Sequence, residues 1–166
     1  FERSVIAVDP SIGDTELADY SAIVFAGLTR GQIWIEADIQ RRPPGDIVTD
    51  TIRMYQRLRP GAVGVESNGF QAVLGTLFDI FCLRENIPPL PIRLIHNSEN
   101  KLVRIQNLDS YLARDKFRFK KESQGCILLV EQLMMFPLKQ YKCDGPDALE
   151  MAKRLLEHPL ATGDTY

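Results

Sequence analysis

The chain has 166 residues, 45% of them hydrophobic and 25% charged, and its net charge is −2. This length suits one domain with a sizeable core, and no apolar run approaches the ~18 residues of a membrane span. The three cysteines are widely spaced without a C-x-x-C pair, and there are only two histidines, which argues against a zinc site and a disulfide framework. We therefore expect a reducing, cytoplasmic setting. The net charge also argues against a global positive field for nucleic acid, although local basic patches can override it.

The first half of the chain predicts three consecutive strands, a helix and a fourth strand. Apolar or alternating runs span residues 4–9, 20–27 and 32–38, which is typical of an antiparallel meander with hairpin connections. After Pro43, Pro44 and Gly45 the apolar period becomes that of a helix, which ends before Pro60. The run AVGVE at 62–66 is the fourth strand, and like the first it ends on an acid.

The second half of the chain predicts helices with short strands between them. Helices are predicted over 70–85 (with Asn68 as N-cap), 101–112, 127–135 and 147–156, with a strand over 90–96. The segment KFRFK at 116–120 alternates basic and aromatic residues. This order predicts an α/β domain with a central mixed five-stranded sheet, three antiparallel strands and then parallel ones, flanked by helices. No repeat or linker interrupts the pattern, so we expect residues 1–166 to form a single domain.

Three acids stand at the ends of predicted elements. Asp9 closes the first strand, Glu66 closes the fourth, and Asp147 begins the last helix, with Asp144 three residues before it. A right-handed crossover would place the first and fourth strands side by side, so that both acids share the carboxyl edge of the sheet. Carboxylates gathered there repel one another, and Mg²⁺ or Mn²⁺, which prefer oxygen ligands, relieve that repulsion. Two such ions about 4 Å apart can activate a water molecule against a phosphodiester. Taken singly, each acid is better explained by a strand end or a helix cap, and only their joint placement favours a metal site.

The order and spacing of these pieces resemble the C-terminal nuclease domain of tailed-phage terminase large subunits, members of the ribonuclease H-like superfamily. The matching pieces are IAVDPS with DYSAIV, then VGVESNGFQ, NKLVRI and DGPDALEMA, from residue 5 to about residue 156. The resemblance implies a ribonuclease H-like fold and a two-metal endonuclease that cuts concatemeric viral DNA during genome packaging. It implies Asp9, Glu66 and Asp147 as catalytic ligands of Mg²⁺ or Mn²⁺, and Asp144 as an accessory ligand. Many relatives have Asp where this chain has Glu66, a longer arm that can still bind metal.

The resemblance also implies partners and a place of action. The expected substrate is double-stranded DNA, and a full-length protein would add an ATPase motor domain, a small terminase subunit and a portal. No membrane is expected, and a phage or prophage protein of this kind acts in the host cytoplasm. The sequence holds no G-x-x-x-x-G-K-[ST] phosphate-binding loop. We therefore expect the ATPase motor to be absent from this chain.

Two groups of basic residues are candidates for holding DNA by its phosphates. Lys101 and Arg104 lie one helical turn apart in NKLVRI, where they could flank the acids; a solvated helix face explains them equally well. Lys116, Arg118 and Lys120 form an outward basic strip opposite two phenylalanines. That strip is a phosphate track or, slightly favoured, an exposed edge strand on which lysine prevents aggregation.

Other functions fit the same pattern of elements. A Holliday-junction resolvase shares the fold and the acids, and would act as a dimer. A non-catalytic DNA-binding or assembly module on the same fold would bind no metal, since a fold alone does not guarantee function. The segment DPSIGDT faintly suggests the phosphate loop of an actin-like nucleotide-binding domain, but its glycine comes late and no second matching loop follows.

Overall fold

The computed structural model describes residues 1–10, 20–67, 71–138 and 143–158, with the backbone alone for residues 71 and 72. A single sheet organises this part of the chain. Its strands are β1 (Arg3–Asp9), β2 (Ser21–Thr29), β3 (Gln32–Gln40), β4 (Ala62–Glu66), β5 (Ile92–Ile95) and β6 (Phe117–Phe119). The strands lie in the order β5-β4-β1-β2-β3-β6.

Strand direction follows the prediction from the sequence. β2 is antiparallel to both β1 and β3, while β4 is parallel to β1 and β5 is parallel to β4. The register pairs Val5 with Ala62 and Val8 with Val65. The next residues along, Asp9 and Glu66, therefore stand beside each other at the carboxyl edge of the sheet.

The sheet has six strands in the described residues, so the predicted count of five is wrong. β6 pairs in parallel with β3, in the register Ile33 with Phe117 and Ile35 with Phe119. Phe117 is only 5% exposed, and burying it against the core stabilises a strand of three residues that its length alone would not. Phe117–Phe119 of KFRFK thus form an outermost strand of the sheet within the described residues, and the protective role of its basic residues stays a prediction.

Six helices within the described ranges cover the two faces of the sheet. They are α1 (Pro44–Leu58), α2 (Gln71–Arg84), α3 (Lys101–Gln106), α4 (Asp109–Ala113), α5 (Gln124–Met135) and α6 (Asp144–Glu157). One buried cluster joins the sheet to α1 and α2, and a second joins the opposite face to α3, α5 and α6. None of the helices that the structure describes is long and apolar enough to cross a membrane.

Three predicted helix boundaries are wrong, and one of them is the start of α5, which lies at Gln124 rather than at residue 127. The helix expected over 101–112 breaks after Gln106, where Asn107 and Leu108 donate to carbonyls three residues back instead of four. Asn107, Asp109 and Ser110 are poor helix formers, which accounts for the break. The last helix begins at Asp144 rather than at Asp147, so both acids lie in its first turn. Asn68, the predicted cap of α2, lies outside the described residues.

Two glycines allow α6 to lie close against the sheet. A Cβ atom at Gly64 of β4 would stand 2.4 Å from the Leu155 side chain of α6. A Cβ atom at Gly145 would stand 2.6 Å from Ile39 Cδ1 and 2.7 Å from Gln132 Oε1. Gly145 N also donates to that Gln132 oxygen at 2.9 Å. The start of α6, with Asp144 and Asp147, is thereby fixed beside the ends of β1 and β4.

Candidate metal centre

Asp9, Glu66 and Asp147 meet at the carboxyl edge of the sheet. Side chains alternate across a strand, so Asp9 points to the same face as Val5 and Ala7, which belong to the core under α6. The three acids are 3%, 5% and 1% exposed, and one carboxylate oxygen of each lies within 4.8 Å of the others. Among the described residues, this is a group of acids able to hold a metal ion.

The electrostatics of the centre favour a cation. Burial raises the pKa of Asp9 from 3.8 to about 8; nearby Lys101 opposes the rise, whereas the charges of Glu66, Asp144 and Asp147 reinforce it. A buried carboxylate surrounded by other carboxylates is thus stabilised by a proton or by a positive ion. All the donors are oxygens, which is the ligand set that hard divalent cations prefer.

Lys101 reaches into the centre from the first residue of α3. Its Nζ lies 3.5 Å from Asp9 Oδ2, 3.2 Å from Asp144 Oδ1 and 3.2 Å from Asp147 Oδ2. The helix start is fixed by Asn100, whose side chain accepts a hydrogen bond from the Leu102 N–H at 2.8 Å. The sequence placed Lys101 beside the acids; the structure places its ammonium among them, and its contact with DNA stays a prediction.

Arg104 is buried within the centre, and the prediction of a solvated helix face is wrong for it. The residue is 3% exposed. Its Nη1 donates to Asp147 Oδ1 and its Nη2 donates to Asp147 Oδ2 at 3.1 Å. Glu150 and Glu66 lie 3.6 and 3.9 Å from the same guanidinium. In this arrangement Arg104 fixes the orientation of the Asp147 carboxylate, and its predicted role in holding DNA is untested.

The sequence analysis missed three side chains that support the acids. Asn97 Nδ2 donates to Glu66 Oε1 at 2.6 Å, and Arg154 Nη2 donates to Asn97 Oδ1 at 2.6 Å. Arg154 also lies 3.4 Å from Glu150 Oε2. Burial raises the pKa of Glu150, while Arg154 and Arg104 oppose the rise.

Their positions in the sequence carried a usable signal. Asn97 comes just after β5, at the same edge of the sheet where β1 and β4 end in acids. Glu150 and Arg154 follow Asp147 by three and seven residues, which is the spacing of one helical face. A search for polar residues at every strand end, and along the helix face of Asp147, would have found all three.

The basic strip lies elsewhere on the sheet. β6 is separated from β1 by β2 and β3, which is about 14 Å at ordinary strand spacing. Arg118 pairs with Asp115 at 2.7 Å, and Lys120 pairs with Glu36 at 3.0 Å. Lys116 immediately precedes β6. The structure therefore does not bring the strip to the acids.

Comparison with known proteins gives matches in structure but none in sequence. No protein-family model matches the chain, and no curated protein matches it. The human cytomegalovirus terminase nuclease domain superposes with a TM-score of 0.69 at 16% identity, covering 93% of this chain and 83% of that one. The zinc-bound large terminase nuclease of thermophilic phage G20c gives a TM-score of 0.65 at 15% identity, covering 92% and 80%. The chain has the ribonuclease H-like fold of these terminase nuclease domains.

A resolvase shares the fold at a greater structural distance. The fowlpox virus Holliday junction resolvase gives a TM-score of 0.53 at 11% identity, covering 95% of this chain and 99% of that one. The ribonuclease H-like architecture implied by the resemblance to terminase nuclease domains is confirmed. At these identities the comparisons concern the fold, and the chemistry has to be argued from the site itself.

Proposed function

We propose that this chain is a metal-dependent DNA endonuclease whose catalytic metal ligands are Asp9, Glu66 and Asp147, with Asp144 as an accessory ligand. The observation that carries the proposal is the meeting of three buried carboxylates within 4.8 Å. Their placement at the ends of two adjacent parallel strands and one helix start supports a site of this kind, because ligands of open sheets bind at the carboxyl ends of strands.

The residues present fit Mg²⁺ or Mn²⁺. The donors are carboxylate oxygens, and the raised pKa of Asp9 indicates a site that favours added positive charge. When bound, two such ions would supply activation of the attacking water and stabilisation of the leaving 3′-oxygen of a phosphodiester. The chain itself supplies orientation, since Asn97 holds Glu66 and Arg104 holds both oxygens of Asp147. Rigid carboxylates keep the ligand geometry that the ions require.

The proposed biological role is that of a terminase nuclease domain. Residues 1–166 would form the single domain that cuts concatemeric viral DNA during packaging. This would take place in the cytoplasm of the cell that hosts the phage or prophage. Its substrate would be double-stranded DNA, and its partners an ATPase motor domain, a small terminase subunit and a portal. The terminase domains superpose with higher TM-scores than the fowlpox resolvase, which supports this role over junction resolution.

The test is cleavage of supercoiled plasmid in Mn²⁺, Mg²⁺, Ca²⁺ or EDTA. We expect nicking and linearisation in Mn²⁺ or Mg²⁺, none in EDTA, and a loss of at least about a hundredfold in Asp9→Asn, Glu66→Gln and Asp147→Asn. The matched control is Asp79→Asn, the same change on the exposed outer side of α2, which should keep full activity. Metal-dependent cleavage that survives in Asp9→Asn would contradict the assignment. No cleavage and no metal binding would favour the non-catalytic module.

A second substrate separates the resolvase alternative. An immobile four-way junction and a linear duplex of the same length are offered in equal amounts. Because the chain more closely superposes on terminase domains, we expect no preference for the junction and a monomer by sedimentation. Symmetric cleavage of the junction by a stable dimer would assign the chain to the resolvases instead.

A further inference from the structure

The ammonium of Lys101 occupies a place in the metal centre that a cation would take. It contacts oxygens of Asp9, Asp144 and Asp147 at 3.2 to 3.5 Å. These oxygens come from β1 and α6, whereas the ammonium comes from α3. A positive group among three carboxylates from two elements satisfies them in the way that an ion would.

The four acids divide into two sides that share Asp9 and Asp147. On one side Glu66 completes the group of three carboxylates. The Glu66 carboxylate lies 2.6 Å from Asn97 and 3.9 Å from Arg104. On the other side Asp144 completes the group, and there the ammonium lies. The centre thus has a Glu66 side and an Asp144 side, and Lys101 stands on the Asp144 side.

Lys101 and a divalent cation cannot occupy the Asp144 side of the centre at the same time. Both compete for the same oxygens, and like charges at contact distance repel strongly where solvent is excluded. Burial lowers the pKa of Lys101, but Asp9, Asp147 and Asp144 outweigh that effect and hold it above its ordinary value. The side chain is 35% exposed and ends in a compact ammonium on a flexible stem. It can therefore turn outward when another anion is offered.

We propose that Lys101 fills the Asp144 side of the centre in the DNA-free protein, so that a second divalent cation enters only when a DNA phosphate draws the ammonium away. This rests on the proposed nuclease function and adds a control to it. Without DNA the protein binds one divalent cation, on the Glu66 side. Both ions assemble only with the substrate, because the phosphate that needs them also frees their second position.

The first test is calorimetric titration of Mn²⁺ into DNA-free protein. We expect one Mn²⁺ per chain in the parent and two in Lys101→Met and Lys101→Gln, with the first dissociation constant about tenfold lower in both variants. Lys101→Arg keeps the charge and should bind one. Lys121→Met removes an exposed lysine near the other sheet edge and should match the parent.

The second test measures the transfer of the ammonium to DNA and does not depend on metal stoichiometry. Affinity for a short duplex is measured against salt in Ca²⁺. Each phosphate contact adds about one to the magnitude of the slope of log affinity against log salt. Lys101→Met should therefore lower that magnitude by about one. Lys121→Met should leave the slope nearer the parent value. The thermal midpoint of unfolding shows whether each variant is folded. Added Mn²⁺ should raise this midpoint more in Lys101→Gln than in the parent, because that variant lacks the internal cation.

The outcomes separate this proposal from the function on which it rests. If the parent binds two Mn²⁺ without DNA, or if Lys101→Met and Lys101→Gln bind as the parent does, the role of Lys101 is overturned while the nuclease proposal stands. An unchanged salt slope in Lys101→Met overturns the transfer to phosphate. If neither the parent nor any variant binds Mn²⁺, the metal centre fails, and the role of Lys101 fails with it.

Discussion

Two arginine–aspartate pairs, one at the metal centre and one beside β6, differ in burial rather than in chemistry. Arg104 grips both oxygens of Asp147 with side chains 4% and 1% exposed. Arg118 grips both oxygens of Asp115 with side chains 37% and 82% exposed. Water screens the second pair, so it contributes little, whereas removing Arg104 leaves the buried Asp147 carboxylate with only Lys101 beside one of its oxygens. The same two residue types therefore form a buried, rigid pair at the metal centre and an exposed, weakly stabilising pair at the surface.

The largest expected effect breaks the buried pair. Arg104→Met should lower the free energy of unfolding by about 3–5 kcal/mol in metal-free protein, since the buried Asp147 carboxylate would lose the partner of both its oxygens and retain only Lys101 beside one of them. The matched change Arg118→Met should cost less than about 1 kcal/mol. Urea unfolding of both variants in EDTA measures the difference. Equal losses would show that burial does not distinguish the two pairs.

A smaller effect comes from the support of Glu66. Asn97→Ala removes the hydrogen bond to Glu66 and the link to Arg154. Because a side chain that hydrogen-bonds a metal ligand holds it in orientation, we expect Mn²⁺ affinity and plasmid cleavage to fall about 10–100-fold. The control is Asn107→Ala, at an exposed position after α3. Parent-like metal affinity in Asn97→Ala would mean that Glu66 is oriented without it.

The pH dependence of stability reports on the buried edge. Burial in the folded protein raises the pKa of Asp9 from 3.8 to about 8. Between these two pH values the folded state holds a proton that the unfolded state has released. This contribution is fully present below about pH 4 and is lost as the pH rises to about 8, with a slope of at most about 1.4 kcal/mol per pH unit.

The measurement is the free energy of unfolding between pH 4 and 9 in EDTA, for the parent and Asp9→Asn. The difference between the two isolates Asp9 from other titrating groups. We expect the parent to lose stability relative to Asp9→Asn as the pH rises. A parent that gains stability relative to the variant over this window would contradict the burial argument.

The smallest effect is expected at the exposed edge. Arg118 and Lys120 are already paired with Asp115 and Glu36 and lie far from the metal centre. Changing both to Ala should weaken duplex binding by less than about threefold and alter its salt slope by less than one. A loss of more than about tenfold with a slope lower by two would show that the strip is a phosphate track, as the alternative interpretation held.

Much of the fold was predictable because its signals are local. The apolar runs located β1 to β4, and the right-handed crossover rule placed β4 parallel to β1. The sequence therefore predicts Asp9 and Glu66 at one edge of the sheet. The strand count was wrong because three residues of alternating pattern become a strand only by pairing with β3 and burying Phe117.

The partners of the acids were less predictable. Lys101 and Arg104 were both identified as basic residues near the site, but one reaches the carboxylates partly exposed and the other is buried beneath them. A helix of six residues is too short for its hydrophobic pattern to indicate which of its faces α6 covers. The sequence signals Asn97 only by its place just after β5, at the edge where β1 and β4 end in acids.

By itself, the sequence determined which residues end strands, which faces are apolar and where acids stand at element ends, because each depends on neighbours along the chain. Only the tertiary structure decided how those acids are neutralised. Gly64 and Gly145 let α6 approach the sheet, and that approach buries Arg104 against Asp147 while Lys101 enters from the rim. Charges at a few ångströms in a dry environment interact strongly, and their distances depend on the packing of helices far apart in sequence.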